Sequence, residues 1–453
     1  MSLRLRAALG RRADLGWENH TFKTNTLFPQ RWQRNCLPRL EISSEFIAVA
    51  VGADLHIHWI PEVGMFNKGR SKVYWMVYIL GVHGREDITE IIAIPGEVTE
   101  FIVSQANGLI RHLKFSMTDT TFEVKRVFQH RRAIIRSLAT TEEYLVALSS
   151  TSPSTHQISF YPLNQTEEDG RTLSPSISPM YTESRPMTEP WQSLPRDNHL
   201  IIHPDFTTDY PTRPWQSVFL DRTTLALGST TPSALTIYNF RPGTATPMSE
   251  LRQLLSHGAR LSGLTDLAPL HKTSIYALYK YSPSLLLSGW YHGPTNLHDL
   301  RSPSQYPVVA LNDPLDDGAA YSISTDGGHR VLVGGANHAL VKVFDLRMPN
   351  RGWSIYLGRE RSPVYAIRGE HSRIFAATEG MLWECDLSFK HPPRKKDDWN
   401  WRRSGRETVR RWDVAPERDR LGGQVRYHYG PEKLYREDGS EVGRASTTGV
   451  MAV

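Results

Sequence analysis

The sequence predicts an all-β fold, a seven-bladed β-propeller, and three observations predict it. First, the short aromatic-centred runs "IYAL", "AYSI" and "VYAI" place Tyr276, Tyr321 and Tyr365 at steps of 45 and 44 residues. Each tyrosine is followed by a second apolar run and then by an acidic residue closing a third run: Asp299, Asp345 and Asp386, at 23, 24 and 21 residues. Second, the runs are four to seven residues long, rich in Val, Ile, Leu, Tyr and Phe, and bounded by Gly, Pro, Ser and Asn, which is strand and turn chemistry. Third, helical periodicity is nearly absent, while stretches such as "YLVALSS" and "IFAAT" are apolar on both faces, as strands covered on both sides must be.

Seven units carry the pattern. They read as "EISSEFIAVAVGADLHIHWI" (41–60), "EVTEFIVSQANGLIRHLKF" (97–115), the run at 131–163, "WQSVFLDRTTLALGSTTPSALTIYNF" (215–240), and the three units led by Tyr276, Tyr321 and Tyr365. A period of 40–45 residues with several short strands per unit is that of a propeller of WD-repeat type. One small sheet cannot bury its faces alone, and stacking sheets in a ring does so without long exposed edges.

The expected organisation is a lead-in over 1–40, a propeller over 41–389 interrupted by an insertion at 164–212, and a charged, partly disordered tail over 390–453. The insertion holds "RTLSPSISPMYTESRPMTEPWQSLPRDNHL", dense in Pro, Ser and Thr. Between Lys390 and Arg420 the tail carries eleven Lys/Arg against six Asp/Glu.

Composition narrows the function classes. Hydrophobic residues at 39% and aromatics at 10% suffice for a core in a chain of 453 residues. Gly 32 and Pro 29 favour a fold with many turns, and a net charge of +6 is only mildly basic. Two cysteines, Cys36 and Cys385, make neither a disulfide framework nor a Cys-based zinc site. With no apolar run long enough to span a bilayer and no secretory pattern in "MSLRLRAALGRRADLGW", residence in the cytoplasm or nucleus is expected, with no membrane partner.

The last three units, "IYAL…LLLSGW…HDLR", "AYSISTDGGHRVLVGG…LVKVFDLR" and "RSPVYAIRGEHSRIFAAT", resemble the propeller of the F-box/WD-repeat family of the dactylin type. The lead-in "RRADLGW…FPQRWQRNCLPRLEISSEFIAVAVGADLHIHWI" is similar to that family's segment before its first blade. The resemblance covers residues 10–163 and 213–390. It implies a protein that binds targets through the propeller's loop face and presents them to a cullin–RING ubiquitin ligase, an F-box docking a Skp-type adaptor. Residues 1–40 lack the Leu-Pro-led helical triplet of an F-box, so that module is expected to be absent or truncated. The units also depart from well-formed WD blades: Phe344-Asp345, His298-Asp299 and Cys385-Asp386 stand where Trp-Asp is usual.

No Gly-x-Ser-x-Gly elbow, Walker loop or His-Glu-x-x-His helix occurs, so a non-catalytic binding platform with no cofactor is expected. His56 and His58 share one strand face without a third metal ligand in view. The resemblance implies that the connection into each blade's first strand opens on the partner face. Arg131, Arg132, Arg213, His271, Lys272, Arg359 and Arg361 are expected in those connections, with acids only at Glu97 and Asp316-Asp317. A rim of this sign would clamp the phosphate or carboxylate of an acidic or phosphorylated protein substrate; the bland reading is scattered, solvated loop charge. The two Asp-Leu-Arg triplets, Asp299 to Arg301 and Asp345 to Arg347, resemble the element by which some WD proteins dock a triple-propeller cullin adaptor, and the aspartates also suit ordinary turn capping. In the tail, Trp399, Trp401 and Trp412 interleave with arginines, a mixture that could stack on single-stranded nucleic acid, but its acids favour tryptophans packed against the ring over a nucleic-acid partner.

Overall fold

Strands such as Phe46–Val51, Glu100–Gln105, Arg330–Gly335 and Arg373–Thr378 are buried at every position, because each sheet is sandwiched between two neighbours. The structure is a computed structural model. It describes residues 3–18, 22–27, 36–43, 46–59, 75–116, 121–128, 133–163, 200–230, 234–242, 247–256, 274–313, 318–357, 361–388 and 428–429, with single positions 32, 130, 244 and 316.

The chain opens with helix α1 (Leu3–Glu18) and strand β1 (Lys23–Thr26). The first sheet is β2 (Arg39–Ile42), β3 (Phe46–Val51), β4 (Asp54–Trp59) and β5 (Trp75–Ile79). The second is β6 (Ile88–Ala93), β7 (Glu100–Gln105), β8 (Ile110–Ser116) and β9 (Thr121–Phe128). The third begins with β10 (Ile134–Thr140), β11 (Tyr144–Ser150) and β12 (His156–Pro162). Next come β13 (Leu200–Ile202), laid parallel on β9, and β14 (Phe206–Tyr210), which completes the third sheet. The fourth holds β15 (Pro214–Phe219), β16 (Thr224–Ser229), β17 (Leu235–Phe240) and β18 (Met248–Leu254). The fifth holds β19 (Ile275–Ser282), β20 (Leu285–Trp290), β21 (Thr295–Asp299) and β22 (Val309–Leu311). The sixth holds β23 (Ala320–Thr325), β24 (Arg330–Gly335), β25 (Leu340–Asp345) and β26 (Met348–Tyr356). In the seventh, β27 (Val364–Glu370), β28 (Arg373–Thr378) and β29 (Leu382–Asp386) are joined by β1, whose Lys23 lies opposite Asp386. A last short strand, β30 (His428–Tyr429), pairs with β26.

The first strands of successive sheets are neighbours, and β27 returns beside β2, so the sheets close into a seven-bladed propeller. The core is divided accordingly. Seven apolar clusters occupy the seven junctions between adjacent blades. The junction of blades six and seven is enlarged by Trp17 from α1 and by Phe22.

Three expectations change, and one falls outside the described residues. The lead-in 1–40 contributes to the ring: Trp17 Nε1 donates to the His371 carbonyl at 2.7 Å, the Arg330 guanidinium lies 4.8 Å over its ring, and β1 supplies the seventh blade's outer strand. The insertion 164–212 ends in ring strands, since β13 and β14 fall within it. The second unit's first strand is β6, upstream of the expected 97–115, which leaves Glu97 in the β6–β7 hairpin, on the opposite face from the connections into first strands. Of the tail, only residues 428–429 fall among the described residues, so Trp399, Trp401 and Trp412 lie outside them. Among the described residues no helix is long and apolar enough to cross a membrane.

Candidate functional site at the channel mouth

Each first strand lies at the centre of the ring, and six of the seven carry the same irregularity. The register between first and second strands slips by one residue around Thr89, Arg136, Trp215, Tyr276, Tyr321 and Tyr365; only β2 pairs with its neighbour without a slip. A bulge of this kind re-aims one side chain out of the pleat. The equal spacing of the three tyrosines is therefore the spacing of bulges. Arg136 and Trp215 occupy the corresponding positions in the third and fourth blades.

The bulged residues meet across blade boundaries. Arg136 lies 5.9 Å from the Trp215 ring, Trp215 packs edge-on against Tyr276 at 5.2 Å, Tyr276 meets Tyr321 at 5.1 Å, and Tyr321 meets Tyr365 at 5.6 Å. The result is one continuous cation-and-ring ladder running through five blades. Arg213 stacks on Trp215 at 4.2 Å, and exposed Tyr291 touches Tyr276 at 5.8 Å. The Trp215 indole donates to Thr230 Oγ1 at 2.5 Å, which fixes the ring. Glycines make the blade junctions close enough for this contact: a Cβ on Gly228, Gly289 or Gly334 would collide with Ile275, Ala320 or Val364, the residue just before the bulge in the next blade.

Electrostatics at the mouth is uneven. Neither Arg136 nor Arg213 has a carboxylate within ion-pair distance among the described residues, and the buried Nε of each has no hydrogen-bond partner there. Burial lowers the Arg136 pKa, and the Arg213 charge lowers it further. His156, hydrogen-bonded through Nδ1 to Ser150 Oγ at 2.9 Å, is likewise pushed down by burial and then by the two arginines. These groups, with Arg85, Glu86, Ile134 and Pro153, line a cleft of about 860 Å³ between blades two and four, in which three arginines face one carboxylate. On the other side of the mouth, burial raises the phenols of Tyr276, Tyr321 and Tyr365, so they stay protonated at neutral pH. Further along the inner strands Arg368 pairs with Glu41 at 2.7 Å, and Arg39 Nε donates to the Thr89 carbonyl at 2.7 Å.

Of the expected rim, Arg213 joins this site and Arg361 is exposed at the connection into β27. Arg131, Arg132, His271, Lys272, Arg359 and Asp317 lie outside the described residues. Asp316 is engaged with the buried Lys342, Nζ to Oδ2 at 2.9 Å. Arg136 and Trp215 were missed. The available signals were an arginine inside the otherwise apolar run "IIRSLA" and a tryptophan at the head of a unit.

The Asp-Leu-Arg triplets sit at the ends of β21 and β25. In both, the arginine folds back on its own aspartate: Arg301 Nη2 to Asp299 Oδ2 is 2.8 Å and Arg347 Nη2 to Asp345 Oδ2 is 2.7 Å, with the backbone N–H of each arginine donating to the same carboxylate. That fork holds Asp299 down at about 2. Asp386 caps Ser388 in the same way, at 2.8 Å, so the repeated aspartate closes the turn after each third strand. His56 and His58 are both held at about 4 by burial, and no cluster of three metal-ligating side chains occurs among the described residues.

Comparison with known proteins agrees with this architecture. No family model matches the chain. A curated relative, F-box/WD repeat-containing protein 4 from Mus musculus, is 31% identical over 113 residues, 24% of this chain and 27% of that protein. The match thus spans about a quarter of the relative's length. The crystal structure of Chaetomium thermophilum Raptor superposes with a TM-score of 0.50 at 13% identity, covering 84% of this chain and 31% of that one. The likeness to Raptor is one of fold alone, and the two comparisons with the ring described above make the chain a WD-repeat propeller with distant similarity to an F-box/WD-repeat protein.

Proposed function

We propose that the chain is a non-catalytic substrate receptor whose propeller binds target proteins at the channel mouth and presents them for ubiquitination. The observation that carries the binding reading is the ladder from Arg136 to Tyr365. Five bulges aim contiguous rings and an uncompensated guanidinium at solvent, and aromatic and arginine side chains are the residues that dominate protein interfaces. The ligase link rests on the similarity to the F-box/WD-repeat protein. The adaptor is a Skp-type protein if an F-box accompanies this propeller, or a triple-propeller adaptor if Arg301 and Arg347 exchange their own aspartates for a partner.

Affinity capture of the full chain from cell extract, followed by mass spectrometry, tests both parts. Tyr321→Ala with Arg213→Gln should remove the bound targets while leaving any adaptor. A target set unchanged by these substitutions refutes the mouth. Arg301→Ala with Arg347→Ala should leave a Skp-type adaptor in place; loss of a triple-propeller adaptor would instead select that route, and recovery of neither adaptor leaves a plain interaction scaffold.

A further inference from the structure

The two halves of the mouth differ in what they offer a ligand. From the fourth to the seventh blade it presents rings in steps of 5.2, 5.1 and 5.6 Å. The hydroxyls of Tyr276, Tyr321 and Tyr365 have no partner among the described residues. At the third and fourth blades it presents Arg136 and Arg213 beside the cleft. Guanidinium and phenol groups supply hydrogen-bond donors.

A ligand matching such a surface is rich in acceptors, poor in donors and ribbed with compact apolar rings. A polyproline II segment has this chemistry. Its carbonyls point outward unbonded, proline has no N–H to satisfy, and one turn of three residues rises about 9 Å, close to two rungs of the ladder. Aromatic-lined grooves recognise such segments elsewhere because the bound conformation is largely preformed. The arginines add a demand for one negative charge at the end of the segment lying over the third and fourth blades.

Resting on the reading of the mouth as the target-binding site, we infer that it takes a proline-rich segment carrying an anionic side chain at one end. The anion sits between Arg136 and Arg213, and the prolines pack on the edges of Trp215, Tyr276, Tyr321 and Tyr365.

A positional array of labelled decapeptides tests this against the full chain by fluorescence anisotropy. Each is proline-rich with one glutamate or one phosphoserine placed in turn, and each is paired with an alanine-for-proline and a glutamine-for-acid version. The expected result is a register in which the parent binds at least about tenfold tighter than both partners. Tyr321→Ala should abolish the proline preference and Arg136→Gln the acid preference, and the glutamate and phosphoserine arms show which source of charge is preferred. No register with such a gap, or gaps unaffected by either substitution, overturns the proposal. If targets captured from extract are still lost in Tyr321→Ala while every peptide fails, the mouth survives and the ligand class is wrong; if those targets persist, the mouth itself falls.

Discussion

Gly334→Ala adds one methyl group at the junction of blades six and seven, and its sign is diagnostic. At an ordinary strand position the change would stabilise by about 0.5–1 kcal/mol, because alanine has less unfolded-state entropy to lose. Here the added carbon would lie 2.6 Å from the Val364 carbonyl oxygen and 2.9 Å from Val364 Cβ, and it would collide with Ser322 Oγ. The two Val364 atoms are a backbone oxygen and a Cβ, which cannot rotate away. The blades must separate, or the Ser322 hydroxyl must give up its 2.8 Å bond to that carbonyl. Overpacking of this kind costs about 1–3 kcal/mol and the hydrogen bond about 1 kcal/mol. Set against the entropy gain, the net is a loss of about 2 kcal/mol. Urea unfolding followed by far-UV circular dichroism reads it. The same substitution should weaken target capture, because Tyr321 and Tyr365 meet across that junction at 5.6 Å. A Gly334→Ala variant as stable as the parent, or more so, would refute the close approach of the blades and with it the geometry of the ladder.

Two further outcomes follow from the same packing. Trp17→Ala should cost about 4 kcal/mol, the usual loss for a buried tryptophan, and Trp17→Phe about 1 kcal/mol for the indole bond to His371; thermal unfolding distinguishes the two, and a negligible effect of the alanine would detach α1 from the ring. Glu100, buried in the second blade, would be raised by burial, but its 2.8 Å contact with His112 and its pairing with Lys125 outweigh this and hold it at about 2. Folding favours the charged form, so the contribution, roughly 2–3 kcal/mol, is complete above the unfolded value near 4.3 and fades as pH falls towards 2. Glu100→Gln should accordingly lower the urea midpoint at pH 6 and approach the parent's midpoint near pH 2.5. A difference that does not shrink with acid would place the stabilisation elsewhere.

The blade count was legible because in six of the seven units a bulge holds one side chain at a fixed point. Tyr276, Tyr321 and Tyr365 announce that point chemically, whereas Thr89 and Arg136 hold it with unlike residues and broke the pattern for a reader of sequence. The strands that escaped notice are outer or added ones. "KTNT" in β1 and "FTTDY" in β14 are largely polar, because an outer strand is held by ladder hydrogen bonds more than by apolar cover. For the proposed binding face, the sequence showed charge but not its partners. Asp316 and Arg301 look available in one dimension, and in three each is already paired, with Lys342 and Asp299. Arg213 gains its meaning only from Trp215 beneath it.

Because β1 completes the blade whose other strands are β27, β28 and β29, a strand that leaves the ribosome long before them finds its place only when they have followed. Lys23 must wait for Asp386 to emerge, roughly 20–70 s at common elongation rates of 5–20 residues per second. Until then the newborn chain holds one orphan strand and one unfinished sheet, both open to stray pairing. Translation halted before β29 leaves nothing for that strand to clasp, so premature products of this gene should be held by chaperones or degraded rather than accumulate as smaller rings.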